Sequence, residues 1–318
     1  MRLLTYSLGA EPRAGMQTGP DADLVDVAAA AKLAGVDELS SPLGYDAGSM
    51  LAIADAGVFS RLAEVVASEE ARLRDQHAVY SPSEVTLLAP ILRPEKFICI
   101  GLNYRDHAAE LGLDLPAEPM FFGKFANSLI GTGATIVPPA ISEQIDYEAE
   151  LAVVIGKRGK HIPEDRALDH VAGVMPLNDV SARDLQMSTP LWTSGKAIDT
   201  FAPAGPALVR LDEIPDVQAL PVIAKVNGQV VQDSNTSLMI FSVAELVAFL
   251  SRTMTLSPGD IIATGTPAGV SRAHGPKTFL RTGDVVEINI GGVGVLSNPV
   301  GEPEREIQST CVTAGAAR

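Results

Sequence analysis

Asp146, Glu148 and Glu150 alternate along Asp146-Tyr147-Glu148-Ala149-Glu150, and the apolar run 151–156 follows at once. Alternate side chains of an extended strand share a face, so the three carboxylates are expected to project from one side. Held that close they repel one another unless a positive charge sits between them. Asp179, just past the apolar run 171–177, offers a fourth oxygen donor. No His or Cys accompanies these acids, and an all-oxygen set favours Mg²⁺, Mn²⁺ or Ca²⁺ over zinc. A solvated acidic edge strand fits the same spacing and stays open beside the metal reading.

A second group lies in the segment 101–110. His107 and Glu110 stand three residues apart on what reads as a short helix leaving a strand, so the carboxylate can orient the imidazole and raise its basicity. Such a pair can activate water; a surface histidine early in a helix is the plainer alternative. Lys124 follows Met120-Phe121-Phe122-Gly123, and Lys196 follows Trp192-Thr193-Ser194-Gly195. Lysines among aromatics and glycines could bind a substrate carboxylate, or pack their stems and send the ammonium to solvent. Arg183 and Gln186 come just after Asp179, with an ion pair to Asp184 or to a metal-site acid expected for Arg183. Thr266 sits in the turn Thr264-Gly265-Thr266-Pro267, where its hydroxyl could donate to an anion or simply close the turn.

These groups need a scaffold, and the chain reads as strand-rich. Residues 96–101 form an apolar, β-branched strand, 260–264 another after Pro258-Gly259, and 284–290 alternates before Gly291-Gly292. Asn227-Gly228 between apolar runs predicts a hairpin over 222–231. Ser242 and Glu245 make a capping box for a helix whose apolar face is Val243, Leu246, Val247 and Leu250. Strands joined by hairpins, without regular strand–helix alternation, predict a mixed and largely antiparallel core. Residues 1–85 read as a small amino-terminal domain with helices near 25–33 and 49–73, broken by Ser81-Pro82-Ser83. Residues 86–305 read as the catalytic domain and 306–318 as a loose tail. No glycine loop completes a nucleotide fingerprint, and no Gly-x-Ser-x-Gly elbow is present.

The 318 residues carry a formal net charge of −15, which argues against nucleic acid and anionic membranes as partners. Cys99 and Cys311 are far apart, the amino terminus lacks a long apolar core, and no apolar run has spanning length, so a cytoplasmic protein is expected.

Taken in order, the motifs resemble those of the fumarylacetoacetate hydrolase superfamily over about residues 93–300. They are Gly101-Leu102-Asn103-Tyr104 with His107 and Glu110, Asp146-Tyr147-Glu148-Ala149-Glu150-Leu151, and the segment 178–186. Also matching are Trp192-Thr193-Ser194-Gly195-Lys196 with 199–203, Val226-Asn227-Gly228, and the segment 258–267. The resemblance implies an α+β, β-rich fold, the mixed β-sheet roll of that superfamily with a small amino-terminal domain, in a homodimer. It implies Mg²⁺ or Mn²⁺, with Ca²⁺ able to substitute, held by Glu148, Glu150 and Asp179; Asp146 matches no family ligand. It places His107 and Glu110 on a lid over a small anionic 2-oxo acid, Lys196 against substrate or metal-bound oxygens, and Lys124, Arg183, Gln186 and Thr266 as further contacts. Many relatives have Lys-Pro where Lys124 precedes Phe125. The implied chemistry is hydrolysis of an acylpyruvate or related 2,4-dioxo acid, because a water-activating pair is present. Decarboxylation or isomerisation of a dicarboxylic 2-oxo acid is the alternative, and a protein merely stapled by Ca²⁺ the non-enzymatic one.

Overall fold

The computed structural model describes residues 1–9, 11–20, 22–36, 39, 56–275 and 278–305. The expected tail 306–318 and the start of the expected 49–73 helix lie outside them. Among the described residues, eleven strands share one mixed sheet, ten of them in the order Val79–Tyr80, Leu24–Asp26, Arg13–Gln17, Arg2–Ser7, Leu208–Arg210, Val171–Asn178, Ala149–Ile155, Ile261–Ala263, Phe97–Gly101, Met120–Lys124. Thr86–Leu88 pairs with Arg2–Ser7 off this path. All the pairings are antiparallel except Ile261–Ala263 beside Phe97–Gly101. The amino-terminal strands are thus hydrogen-bonded into the same sheet as the rest, through Arg2–Ser7 and Leu208–Arg210.

Ala149–Ile155 is buried along its whole length because both faces of the sheet are covered. Leu151, Val153 and Ile155 enter one core, while Ala152 and Val154 enter the other. The first core lies between this sheet and a four-stranded antiparallel sheet ordered Gln229–Asn235, Pro221–Val226, Val285–Ile290, Gly294–Pro299. It also takes the apolar face of the helix Val243–Thr253, whose capping box forms as the sequence predicts. The second core is closed by amino-terminal side chains, Leu3, Met16, Val25 and Leu62 among them.

The expected hairpin turns at Asn227 and Gly228, both at positive φ, the conformation a two-residue turn of this hand requires. Two helices stand where one was expected over 49–73: within the described residues they are Ala56–Ser68 and Glu70–Asp75. No helix of the described residues is long and apolar enough to cross a membrane.

Candidate active site

Antiparallel pairing of Ala149 with Asn178 brings the start of one strand against the end of its neighbour, so Glu148 and Glu150 meet Asp179. Backbone bonds hold the junction: Asp179 N–H donates to Glu148 O at 2.9 Å, and Glu148 N–H donates to Asn178 Oδ1 at 3.0 Å. Glu148, Glu150 and Asp179 are buried, and one carboxylate oxygen from each lies within 4.8 Å of the others. That separation suits a single hard cation between them, and the donor set is oxygen alone.

Asp146 does not share their face. The strand breaks between Asp146 and Ala149, and Ile145–Asp146 pairs instead with Ser181–Ala182. The Asp146 carboxylate accepts from Arg183 Nε at 2.8 Å and from the backbone N–H groups of Ser271 and Arg272 at 2.8 and 3.0 Å. With the Tyr147 N–H at 2.9 Å, four donors turn it away from the other acids.

Buried cations surround the triad. Lys196 Nζ lies 2.6 Å from Glu148 Oε2 and 2.7 Å from Asp179 Oδ2. Lys124 Nζ lies 2.6 Å from Asp179 Oδ1 and donates to Val180 O. Arg183 Nη1 reaches Glu148 Oε1 at 2.7 Å and Gln186 Oε1 at 3.0 Å. Of the two partners expected for Arg183 the metal-site acid is the one it takes, while Asp184 accepts from Ser142 and from Glu143 N–H. Burial works against the charge on Lys196, but Asp179 and Glu148 outweigh it and hold the pKa above the ordinary lysine value. At Lys124 burial wins and the pKa falls. Burial likewise opposes ionisation of Glu148, yet Lys196 and Arg183 pull its pKa down to about 2. Glu150 makes no ion pair among the described residues. Its carboxylate accepts the Gly265 N–H at 2.9 Å, and burial followed by repulsion from Asp179 and Glu148 outweighs the pull of Lys196 and drives its pKa well above the carboxylate range. A dication would relieve that repulsion, so the residues fit one.

His107 lies on the short helix Arg105–Leu111, with Nδ1 3.3 Å from Glu110 Oε2. Glu110 is itself steadied by the Gly269 N–H on its other oxygen. His107, Glu148, Arg183, Gln186, Lys196 and Thr266 line one cavity of about 200 Å³, closed on its apolar side by residues that include Phe122 and Trp192. This is below the roughly 300 Å³ of pockets for drug-sized molecules and suits a compact acid. Lys124 does not line it; its ammonium sits behind, on Asp179. Thr266 Oγ accepts from Gln232 Nε2 at 2.9 Å, which leaves its hydrogen for a partner in the cavity.

Gln232 escaped the sequence analysis, and Asn103 entered it only within the motif Gly101-Leu102-Asn103-Tyr104, with no role of its own. Gln232 Oε1 accepts from Ala149 N–H, so one side chain ties the acidic strand to the Thr266 turn. Asn103, fully buried, donates to Thr264 O and Phe241 O and accepts from Phe241 N–H, anchoring the segment before the His107 helix. Neither role shows in local spacing, because the partners of both amides are distant in sequence. Asn103→Ala strands these backbone groups in the interior, a loss of about 1–3 kcal/mol per unpaired group, to be seen as a lower midpoint in urea.

An acid triad spaced for a hard cation, buried cations beside it, and a cavity lined by Glu148, Lys196 and His107 define an enzyme site that suits a divalent cation. The family model for the fumarylacetoacetate hydrolase carboxy-terminal region matches residues 96–301, and the chain belongs to that family. It is 50% identical over 228 residues to the mitochondrial oxaloacetate tautomerase of Xenopus laevis, covering 71% of each chain. Among solved structures it resembles the fumarylacetoacetate hydrolase of Exiguobacterium antarcticum, with a TM-score of 0.77, 32% identity and coverage of 95% of this chain and 99% of that one. It also resembles the maleylpyruvate hydrolase of Sphingobium sp. SYK-6, solved with manganese(II) and pyruvate, with a TM-score of 0.75, 28% identity and coverage of 96% and 100%. The β-rich α+β fold expected from the sequence is the fold of these neighbours.

Proposed function

We propose that this chain interconverts the keto and enol forms of a small 2-oxo dicarboxylate of the oxaloacetate type, using Mg²⁺ or Mn²⁺ at Glu148, Glu150 and Asp179. This ranks proton transfer above the acylpyruvate hydrolysis first expected. The observation that carries it is that His107, tied to Glu110 through one ring nitrogen, lines the same cavity as Lys196 and Arg183. A base thus faces a cationic wall. The name of the Xenopus laevis relative supports the choice of reaction.

Bound at the triad, a divalent cation supplies Lewis acidity that makes the hydrogens beside a 2-keto group easier to remove. With Nδ1–H directed to Glu110, the lone pair of His107 is on Nε2, which takes the proton from the carbon next to the keto group and returns it to the enol oxygen. The carboxylate of Glu110 stabilises the imidazolium between the two transfers. Lys196, held as an ammonium, opposes the negative charge that builds on the substrate. Arg183 Nη2 is buried without a protein partner among the described residues, a donor suited to a substrate carboxylate oxygen. Phe122 and Trp192 exclude water from the apolar side.

The second reading, hydrolysis of an acylpyruvate, is favoured by the maleylpyruvate hydrolase neighbour and would use the same His107 to deprotonate water. Ultraviolet absorbance of enol oxaloacetate separates the two. Its interconversion is expected to run roughly 10²-fold or more above the buffer rate, to stop with a chelator, and to return with Mg²⁺ or Mn²⁺. If enol oxaloacetate decays at the buffer rate while acylpyruvates are split, the chain is a hydrolase. If neither substrate reacts and metal only raises the melting temperature, the metal is structural.

A further inference from the structure

We propose that Arg272 selects the substrate by pairing with its distal carboxylate, the one not attached to the keto carbon, and so makes the site specific for 2-oxo dicarboxylates. This rests on the 2-oxo acid reading above and names the substrate class within it.

Arg272 lines the cavity beside Arg183, Lys196 and His107. The other two permanent cations of that wall are already engaged, Lys196 with Glu148 and Asp179, and Arg183 with Asp146 and Glu148. Arg272 forms no ion pair among the described residues. Among the described residues its one side-chain hydrogen bond is Nη1 to the Met187 sulfur at 3.3 Å, and a thioether is a weak acceptor. Most of the guanidinium's donors are therefore unspent, in a fork that matches a carboxylate.

Its placement is built in. Asp146 binds the backbone N–H groups of both Ser271 and Arg272 and pairs with Arg183 Nε. One buried carboxylate thus fixes the origin of Arg272 relative to the arginine deeper in the site. The short helix Ser271–His274 also touches the His107–Glu110 pair, with His274 Nε2 3.4 Å from Glu110 Oε1.

The charges agree. Without metal, Asp146, Glu148 and Asp179 balance Lys124, Lys196 and Arg183 while Glu150 holds its proton; a dication with Glu150 ionised leaves one positive charge in the buried network. A monocarboxylic 2-oxo acid balances it. A dicarboxylic one brings a further negative charge, and Arg272 is the cavity cation without a carboxylate of its own among the described residues.

The test compares oxaloacetate with 2-oxosuccinamate, in which a neutral amide replaces the distal carboxylate. In Arg272→Gln the ratio of kcat/KM values, oxaloacetate over 2-oxosuccinamate, is expected to fall roughly 10- to 100-fold, the range for one charge-assisted hydrogen bond, mostly through KM for oxaloacetate. Arg272→Lys, which keeps the charge and loses the fork, should recover part of it. An unchanged ratio in Arg272→Gln overturns the proposal. The single tryptophan, Trp192, lines the cavity, so its fluorescence reads binding of the same two compounds with Mg²⁺ without any turnover. If the wild type converts neither compound, the tautomerase reading fails. Even then, a wild-type preference for binding oxaloacetate that Arg272→Gln abolishes supports the role of Arg272, and equal binding of both compounds by the wild type refutes it.

Discussion

Asp179→Asn is expected to remove divalent-metal binding and to destabilise the chain, whereas Glu150→Gln removes the same binding yet stabilises the metal-free protein. The two acids are neighbours with opposite surroundings. Asp179 is the shared partner of Lys124 and Lys196, both essentially without solvent contact. Loss of its charge leaves two buried ammonium groups under-compensated, which costs about 3–5 kcal/mol. Glu150 has no cation at ion-pair distance among the described residues, and its burial and acidic neighbours favour the protonated form. Its folded pKa lies above its unfolded one, so the folded chain holds the proton more tightly. Stability of the metal-free protein therefore falls as pH rises from the ordinary carboxylate range towards the raised value, and Gln removes that slope. Glu148 works the other way. Held at about 2, its contribution is present above the unfolded value and is lost as pH falls towards 2. Both Asp179→Asn and Glu150→Gln should lower kcat by roughly 10³-fold or more, the rate equivalent of several kcal/mol of Lewis-acid stabilisation. Thermal melts in chelator over a pH series, with turnover in Mg²⁺, check the pair. A Glu150→Gln variant that melts below the wild type at neutral pH would contradict this electrostatic assignment.

His107→Ala should lower kcat by roughly 10² to 10⁴-fold, the range for a positioned general base. The side chain is mostly buried, but it belongs to a short helix that lines the cavity and makes no ion pair with the triad. Metal affinity should therefore stay close to that of the wild type. Glu110→Gln should produce a smaller loss and alter the pH profile, since the amide still accepts from Nδ1–H but cannot stabilise the imidazolium. Calorimetric titration with Mn²⁺ beside steady-state kinetics makes the distinction. A fall in metal affinity matching the fall in kcat would show that His107 acts through the metal and not as the base.

Local features were the legible part of the sequence. Asn227-Gly228 specifies its turn because both residues tolerate positive φ, and Ser242 with Glu245 specifies a helix start because their reciprocal bonds need only three residues of chain. His107 and Glu110 are one helical turn apart, so their contact also follows from local geometry. Long-range closure was harder to read. Alternation put Asp146 with Glu148 and Glu150, but Arg183 and the amides of Ser271 and Arg272 claim its carboxylate and break the strand. Asp179 is joined to the other two acids by a strand register, Ala149 against Asn178, that no short motif encodes. Lys124 and Lys196 look alike in sequence, yet one lies behind the triad and the other lines the cavity. Gln232 gave no signal because its role depends on two partners brought from distant segments. The pairing of Arg2–Ser7 with Leu208–Arg210 likewise joins segments some two hundred residues apart.

The central claim is that Glu148, Glu150 and Asp179 hold one divalent cation. Its most direct test is the anomalous difference density of crystals soaked in Mn²⁺. The account predicts one strong peak per chain, within about 2.0–2.6 Å of an oxygen from each of the three carboxylates, and no such peak in Glu150→Gln. Density bound elsewhere, or an unchanged peak in the Gln variant, would contradict it.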